Sequence, residues 1–144
     1  MNVQEMSGLE LMQAVVAGHF PPSAMARTVP MTFTNADLGR IAITARADER
    51  HLNPMGGVHG GFAATVLDSV TGCAVHSSLE PGVSYGTIDL QVKMLRPVPC
   101  DQDLIAEGNT VHVSRNLATA EGTLKSADGK LLATATATCF LKRP

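Results

Sequence analysis

The chain is poor in aromatic residues: it has no Trp, one Tyr and four Phe in 144 residues. Its core must therefore come from Val, Leu, Ile, Ala and Met. The seven Met residues serve as core filler or as the lining of an adaptable apolar pocket. Clustered cations are also missing. Eleven Lys and Arg stand against thirteen Asp and Glu, for a net charge of −2 without a run of like charges, which argues against a nucleic-acid surface. A phosphate-bearing small molecule needs only two or three cations and stays open. The three cysteines, Cys73, Cys100 and Cys139, are odd in number and lack metal-ligand spacing. They read as reduced, mostly buried thiols of a cytosolic protein. No apolar run approaches the ~18–20 residues of a membrane span. The first twenty residues hold Glu5 and Glu10 and no Lys or Arg, a composition unlike a secretory signal. Repeats and low-complexity linkers are absent, so a single domain over 1–144 is expected.

What is present reads as alternating elements. Ser7-Gly-Leu-Glu10 has capping-box spacing and predicts a short helix with Leu9, Met12, Val15 and Val16 on its apolar stripe. Gly18 and Pro21-Pro22 end it. Two strands follow, over 29–34 and 40–47, with a turn across 35–39. In the second, Ile41, Ile43 and Ala45 alternate with Ala42, Thr44 and Arg46. Residues 48–58 form a loop. A long helix is expected over 59–78, with Val58, Phe62, Val66, Val70 and Ala74 as its large apolar face. Gly61, Ala64, Asp68 and Gly72 make a small face that another backbone or a ligand can approach. Strands over 84–97, over 104–125 with a break near Arg115-Asn116, and over 131–141 complete the order. Ala127-Asp-Gly-Lys130 is a hairpin turn. One mostly antiparallel sheet curled round one buried helix fits this order and length.

The most informative stretch is Asn53-Pro-Met-Gly-Gly-Val-His-Gly-Gly-Phe-Ala-Ala-Thr-Val-Leu-Asp68. A glycine-rich loop runs into an apolar helix that carries one carboxylate. A lone acid in such a helix is expensive to bury and needs a reason to be there. The bare N–H groups at the helix start can hold a developing negative charge on a carbonyl oxygen. A carboxylate and an oxyanion site about two helical turns apart suggest acyl chemistry.

At these residues the sequence resembles the hotdog-fold acyl-CoA thioesterases, most of all the phenylacetate-pathway and 4-hydroxybenzoyl-CoA thioesterase group. The likeness rests on Asn53, Gly56, Val58-His59-Gly60-Gly61, Thr65 and Asp68. It continues in Thr87-Ile-Asp-Leu-Gln-Val-Lys-Met-Leu-Arg-Pro97, which is similar to the family's first strand after the helix. It covers about residues 28–141, leaving 1–27 as an N-terminal helical extension. The resemblance implies an α+β hotdog: a long central helix wrapped by a curved antiparallel sheet. It also implies a homodimer with sites at the subunit interface, often paired into a homotetramer. Hydrolysis of a small aromatic or medium-chain acyl-CoA, without a cofactor or metal, is the activity it implies.

The same resemblance assigns roles. Asp68 activates water or attacks the thioester carbonyl. Gly60 offers its backbone N–H as oxyanion donor, and Asn53 places water or the carbonyl. Thr87 corresponds to a Ser or Thr that orients the water from the partner subunit. His59 is mainly structural, bonding the loop before the helix. Val58 and Gly61 flank the substrate, and Arg96, Arg115 and Asn116 are the candidates for the coenzyme A phosphates. Some family members carry Glu at position 68 with Thr one turn later; Gly72 stands at that later position here, so the chain fits the Asp-type site. Two other readings share the fold: a hydratase or dehydratase using His59, and a non-catalytic acyl-CoA binding module. A metal site from His51, His59 and Asp68 has no recognisable ligand pattern.

Overall fold

Helix α1, Gly8–Val16, begins where the Ser7/Glu10 spacing places it in a computed structural model that describes residues 2–144. Ser7 Oγ accepts from the Glu10 N–H at 3.1 Å, and Glu10 Oε1 accepts from the Ser7 N–H at 3.1 Å. Two donors that the first helical turn leaves orphaned are thus satisfied. The start of α1 is pressed against the end of the long helix further along the chain: a Cβ at Gly8 would lie 1.6 Å from the His76 carbonyl oxygen. A second short helix, α2 over Ala24–Thr28, is capped by Ser23, whose Oγ accepts from the Ala26 N–H at 3.2 Å. The sequence pattern places one helix before residue 28, not two; five residues are too few to show a helical period.

Strands β1, Met31–Asp37, and β2, Arg40–Arg46, form an antiparallel hairpin. The turn expected over 35–39 is shorter, and the first strand starts two residues later than Val29. A bulge between Phe33 and Asn35 absorbs Thr34 and lets β1 run on to Asp37. The turn then needs only Leu38 and Gly39, with Gly39 at φ +71°. Ile41, Ile43 and Ala45 all face the core.

The long helix α3 spans Gly60–Ser77. Four strands follow: β3, Ser84–Met94; β4, Asp103–Val113; β5, Leu117–Ser126; and β6, Leu131–Lys142. All pairings are antiparallel in one sheet of order β1-β2-β4-β5-β6-β3. The sheet curls round α3, which touches every strand, while α1 packs against α3 and β1. This is the hotdog arrangement. Phe62, Val66, Val70 and Ala74 are buried as their four-residue spacing predicts, and Leu67 joins them. Each large apolar side chain so buried contributes about 1.5–3 kcal/mol.

The remaining side of α3 stays partly open. Gly61, Ala64, Thr65, Asp68, Ser69, Cys73 and His76 are half-buried along it. At one end of the sheet, β3 is an edge strand, and a bulge between Thr87 and Asp89 leaves Ile88 unpaired and 63% exposed. No helix among the described residues is long and apolar enough to cross a membrane.

Candidate active site

The N-terminus of α3 is assembled by its preceding loop. Asn53 Oδ1 accepts from the N–H groups of Met55 at 2.9 Å and Gly57 at 3.2 Å. Its backbone N–H donates to the Gly57 carbonyl at 2.7 Å, and its carbonyl accepts from Gly56 at 3.0 Å. The loop is therefore closed on Asn53 and opened at Gly56, which stands at φ +88°. The side-chain NH₂ of Asn53 has no acceptor among the described residues.

His59 caps the helix. Its Nδ1 accepts from the Gly61 N–H at 2.7 Å, and its backbone N–H donates to the His51 carbonyl at 2.8 Å. The ring thus plays the structural part that Ser or Asp plays at other helix starts. The Phe62 N–H donates to the His59 carbonyl at 3.0 Å. Of the first three helical donors, the Gly60 N–H alone has no acceptor among the described residues, and it sits at the positive end of α3. Beside it lies a cavity of about 290 Å³ lined by Val58, Gly60, Ala63, Met94 and Arg96 among others. A Cβ at Gly60 would be 2.7 Å from Met94 Sδ. His51 is occupied elsewhere: its Nδ1 accepts from the Asp48 N–H at 2.9 Å and its Nε2 lies 2.7 Å from the Thr28 carbonyl. It is held in the loop ahead of α3 rather than offered to a metal with His59 and Asp68.

Asp68 lies two turns further along α3 on its open side. Its Oδ1 is the one buried side-chain nitrogen or oxygen without a hydrogen-bond partner among the described residues. Leaving such an atom unpaired costs about 1–3 kcal/mol. Gly72, one turn on, is covered by β3: a Cβ there would lie 3.3 Å from Tyr85 Cε2 and 3.8 Å from Thr87 Oγ1. Thr87 Oγ1 is also 3.9 Å from Cys139 Sγ. Thr71 points into the core and bonds the Leu67 carbonyl at 2.7 Å.

Tyr85 was invisible as a site neighbour in the sequence, although it is the chain's one Tyr. Its ring lies over Gly72 and packs on His76 with centroids 5.0 Å apart. Burial pushes its hydroxyl well above the ordinary range and holds it as a neutral phenol. Burial also raises the Cys73 thiol to about 11; a hydrogen bond with Tyr85 opposes the rise and the nearby Asp68 adds a little to it. Cys139 is raised for the same first reason. Neither is set up as a nucleophile.

The structure separates the other candidates. Arg96 is exposed near Gly60 and donates to the Leu131 carbonyl at 3.1 Å. Arg115 and Asn116 form the exposed β4–β5 turn, fastened by Arg143 Nε to the Arg115 carbonyl at 3.0 Å and by the Leu141 N–H to the Asn116 carbonyl at 2.7 Å. The β4 residue ahead of that turn, Val113, packs with Val75 and Leu79 at the far end of α3. An 18-residue helix is about 27 Å long. Arg96 and Arg115 of one chain therefore stand at opposite poles and do not form one phosphate clamp.

Known proteins share this arrangement. The model of the thioesterase superfamily matches residues 55–133. Human acyl-coenzyme A thioesterase 13 is 27% identical over 104 residues, covering 72% of this chain and 74% of its own. Among solved structures, a phenylacetic acid degradation-related protein of Ralstonia eutropha JMP134 is 35% identical, with a TM-score of 0.81 over 90% of this chain and 98% of its own. A thioesterase family protein of Silicibacter pomeroyi reaches the same TM-score of 0.81 at 25% identity, over 92% and 99% of the two chains. With the matched segment running from the Gly60 loop into β6, and the fold shared along nine tenths of the chain, this protein belongs to the thioesterase superfamily and is a thioester hydrolase.

Proposed function

We propose that this chain hydrolyses the thioester of a small aromatic or medium-chain acyl-CoA, with Asp68 as the acting carboxylate at an interface between two copies. The observation that carries this reading is the unpartnered Asp68 Oδ1. A carboxylate held without a partner on the open side of α3 is free to accept a proton from water. Gly60 offers the complementary donor. Water attacks the thioester carbonyl carbon as its proton passes to Asp68. The oxyanion forms against the Gly60 N–H and the positive end of α3. Collapse of the tetrahedral intermediate expels the coenzyme A thiolate, which takes up a proton. The Asn53 NH₂ and the Thr87 hydroxyl are within this reading the groups that orient carbonyl and water. Val58 and Gly61 border the carbonyl's approach.

A length supports the dimer. Gly60 and Asp68 are about 12 Å apart along one helix axis, and a carbonyl bonded to the first cannot meet water held by the second. A two-fold axis across α3 places Gly60 of one copy opposite Asp68 of the other. The open edge of β3 and the half-buried face of α3 support such a pairing. In the same pairing Arg96 of one copy would come to the same end as Arg115 of the other, and these two are the candidates to meet the coenzyme A phosphates. The human relative, an acyl-coenzyme A thioesterase by name, supports coenzyme A as the leaving group.

The test is hydrolysis of acetyl-, hexanoyl-, dodecanoyl-, phenylacetyl- and hydroxybenzoyl-CoA, followed by loss of thioester absorbance, with Asp68→Asn alongside. The expected outcome is turnover that falls by about 10²–10⁴ in the variant. Unchanged turnover in Asp68→Asn removes Asp68 from the chemistry. No turnover on any substrate, with tight binding of intact acyl-CoA, makes the protein a binding module.

A further inference from the structure

Thr87 stands where the sheet holds it least. It lies on β3, an edge strand paired only with β6. Thr87 pairs with Cys139 and Asp89 with Thr138, so the ladder is interrupted at Ile88, directly after Thr87. Such a bulge bends the strand and leaves its local course to other contacts. The Thr87 hydroxyl itself has one long contact, 3.9 Å to Cys139 Sγ. A group that orients water in a reaction has to be held to within about 0.5 Å. Something other than the ladder must therefore fix it.

The fixing contact comes from Tyr85. Residues two apart on a strand share a face, and both Tyr85 and Thr87 lie against α3. Gly72 is the notch that receives them: a Cβ there would lie 3.3 Å from Tyr85 Cε2 and 3.8 Å from Thr87 Oγ1. A glycine inside a helix weakens it, and room for this strand is what Gly72 supplies. The Tyr85 ring is held from two more directions. It packs on His76 with centroids 5.0 Å apart, and its hydroxyl shares a hydrogen bond with Cys73. Gly72, Cys73 and His76 thus grip one ring, and Asp68 lies one turn before Gly72 on the same helix. The grip ties β3, just ahead of its bulge, to the helix that carries the carboxylate.

We propose that Tyr85 is a positioning residue for the hydrolysis: locked over Gly72, it sets the Thr87 hydroxyl at the level of α3 where Asp68 works. This rests on the hydrolase reading above, in which Thr87 orients the carbonyl or the water. Tyr85 touches neither and acts through Thr87. Its whole effect on the chemistry therefore cannot exceed the effect of removing the Thr87 hydroxyl.

A double-mutant cycle tests this ceiling. kcat and KM are measured for the acyl-CoA of the panel above that the parent turns over fastest. The variants are Tyr85→Leu, Thr87→Ala, the two combined, and Tyr85→Phe. Urea denaturation establishes that each is folded. Should Tyr85→Leu fail to fold, Gly72→Ala replaces it in the cycle, since its Cβ moves the ring by a few tenths of an ångström. Thr87→Ala is expected to lower kcat by about tenfold, the worth of one hydrogen bond. Tyr85→Leu lowers it by about tenfold or less, with KM within about twofold of the parent. The combined variant also loses about tenfold, not the hundredfold of independent effects. Tyr85→Phe keeps the ring on Gly72 and His76 and recovers the turnover that Tyr85→Leu loses. Additive losses, a Tyr85→Leu loss without one in Thr87→Ala, or a risen KM at constant kcat each overturn the assignment. Asp68→Asn alongside keeps the two readings apart. If it abolishes turnover while the cycle is additive, hydrolysis by Asp68 stands and the role of Tyr85 falls. If turnover survives Asp68→Asn, the reading of Asp68 falls and the cycle still decides Tyr85. A parent that hydrolyses no acyl-CoA overturns both.

Discussion

Gly108 and Gly122 face each other across the β4–β5 ladder, and the middle of α3 rests on the pair. A Cβ at Gly108 would lie 2.3 Å from the Val70 carbonyl oxygen. A Cβ at Gly122 would lie 2.9 Å from Thr71 Cγ2 and 3.2 Å from Val70 Cγ1. The two sites differ in what must move. At Gly108 it is helix backbone; at Gly122 it is the ends of side chains. Gly108→Ala is expected to lower stability by about 3 kcal/mol, the upper end of what overpacking does, and Gly122→Ala by about 1 kcal/mol. Urea denaturation of both variants checks the order. Equal losses would mean that the helix backbone yields as easily as a methyl group.

Much of this packing was legible in the chain and the decisive approach was not. The four-residue spacing of Phe62, Val66, Val70 and Ala74 states which side of α3 is buried, because a helix repeats every 3.6 residues and only one side can carry that row. Ser7 and Glu10 state where α1 begins, since capping is local chemistry. The motif around Asn53, His59, Gly60 and Asp68 is likewise local, and so the likeness to thioesterases was readable from it. Nothing local marks Gly108 and Gly122 as a seat for the helix: two glycines fourteen positions apart become neighbours only through strand register. The bulge at Thr34 is equally silent, because one inserted residue changes the pairing and leaves the composition of the strand intact. The place of Tyr85 over Gly72 stayed hidden for the same reason. It is made by elements that meet only after the sheet has curled.

Gly60 offers a way to remove a hydrogen-bond donor while leaving the helix in place. It is the first residue of α3, where Pro is tolerated because the N–H has no intrahelical partner. His59 ahead of it has φ −63° and ψ 138°, the extended geometry that a following Pro requires. Gly60→Pro is therefore expected to fold and to lose turnover by about 10²–10³, the effect of deleting one oxyanion donor. Gly60→Ala is the control, since it keeps the N–H and asks only that the half-exposed Met94 side chain swing away from a Cβ at 2.7 Å. Equal losses in both variants would assign the effect to Met94 and the cavity rather than to the donor.

His76 gives the stability of the fold a pH dependence. It lies on α3 against Tyr85, and burial lowers its pKa from the ordinary value. Above about pH 6.5 the ring is neutral in folded and unfolded chains alike. As the pH falls below that, the unfolded chain takes up the proton first, so stability is lost between the unfolded value and the lowered folded one. His76→Phe keeps a ring against Tyr85 and removes the titration. Stability measured from pH 7.5 to 5 should slope more gently in the variant than in the parent. Parallel curves would place the slope on other groups.

Asp68 separates a working residue from a structural one by the sign of a stability change. A carboxylate that caps a loop or pairs with a base stabilises the fold, and its loss lowers stability. An acid whose Oδ1 is buried without a partner is instead a burden on the fold, of the kind found where function and stability pull apart. Asp68→Asn swaps the charge for an amide of equal size, and the substitution is expected to leave stability unchanged or to raise it by about 1 kcal/mol. Turnover falls in the same protein. Measured by urea denaturation beside the hydrolysis assay, a gain or no change with lost turnover marks Asp68 as held in reserve for the substrate. A loss of about 2 kcal/mol or more would instead make it part of the scaffold, and the loss of turnover a consequence of a loosened helix.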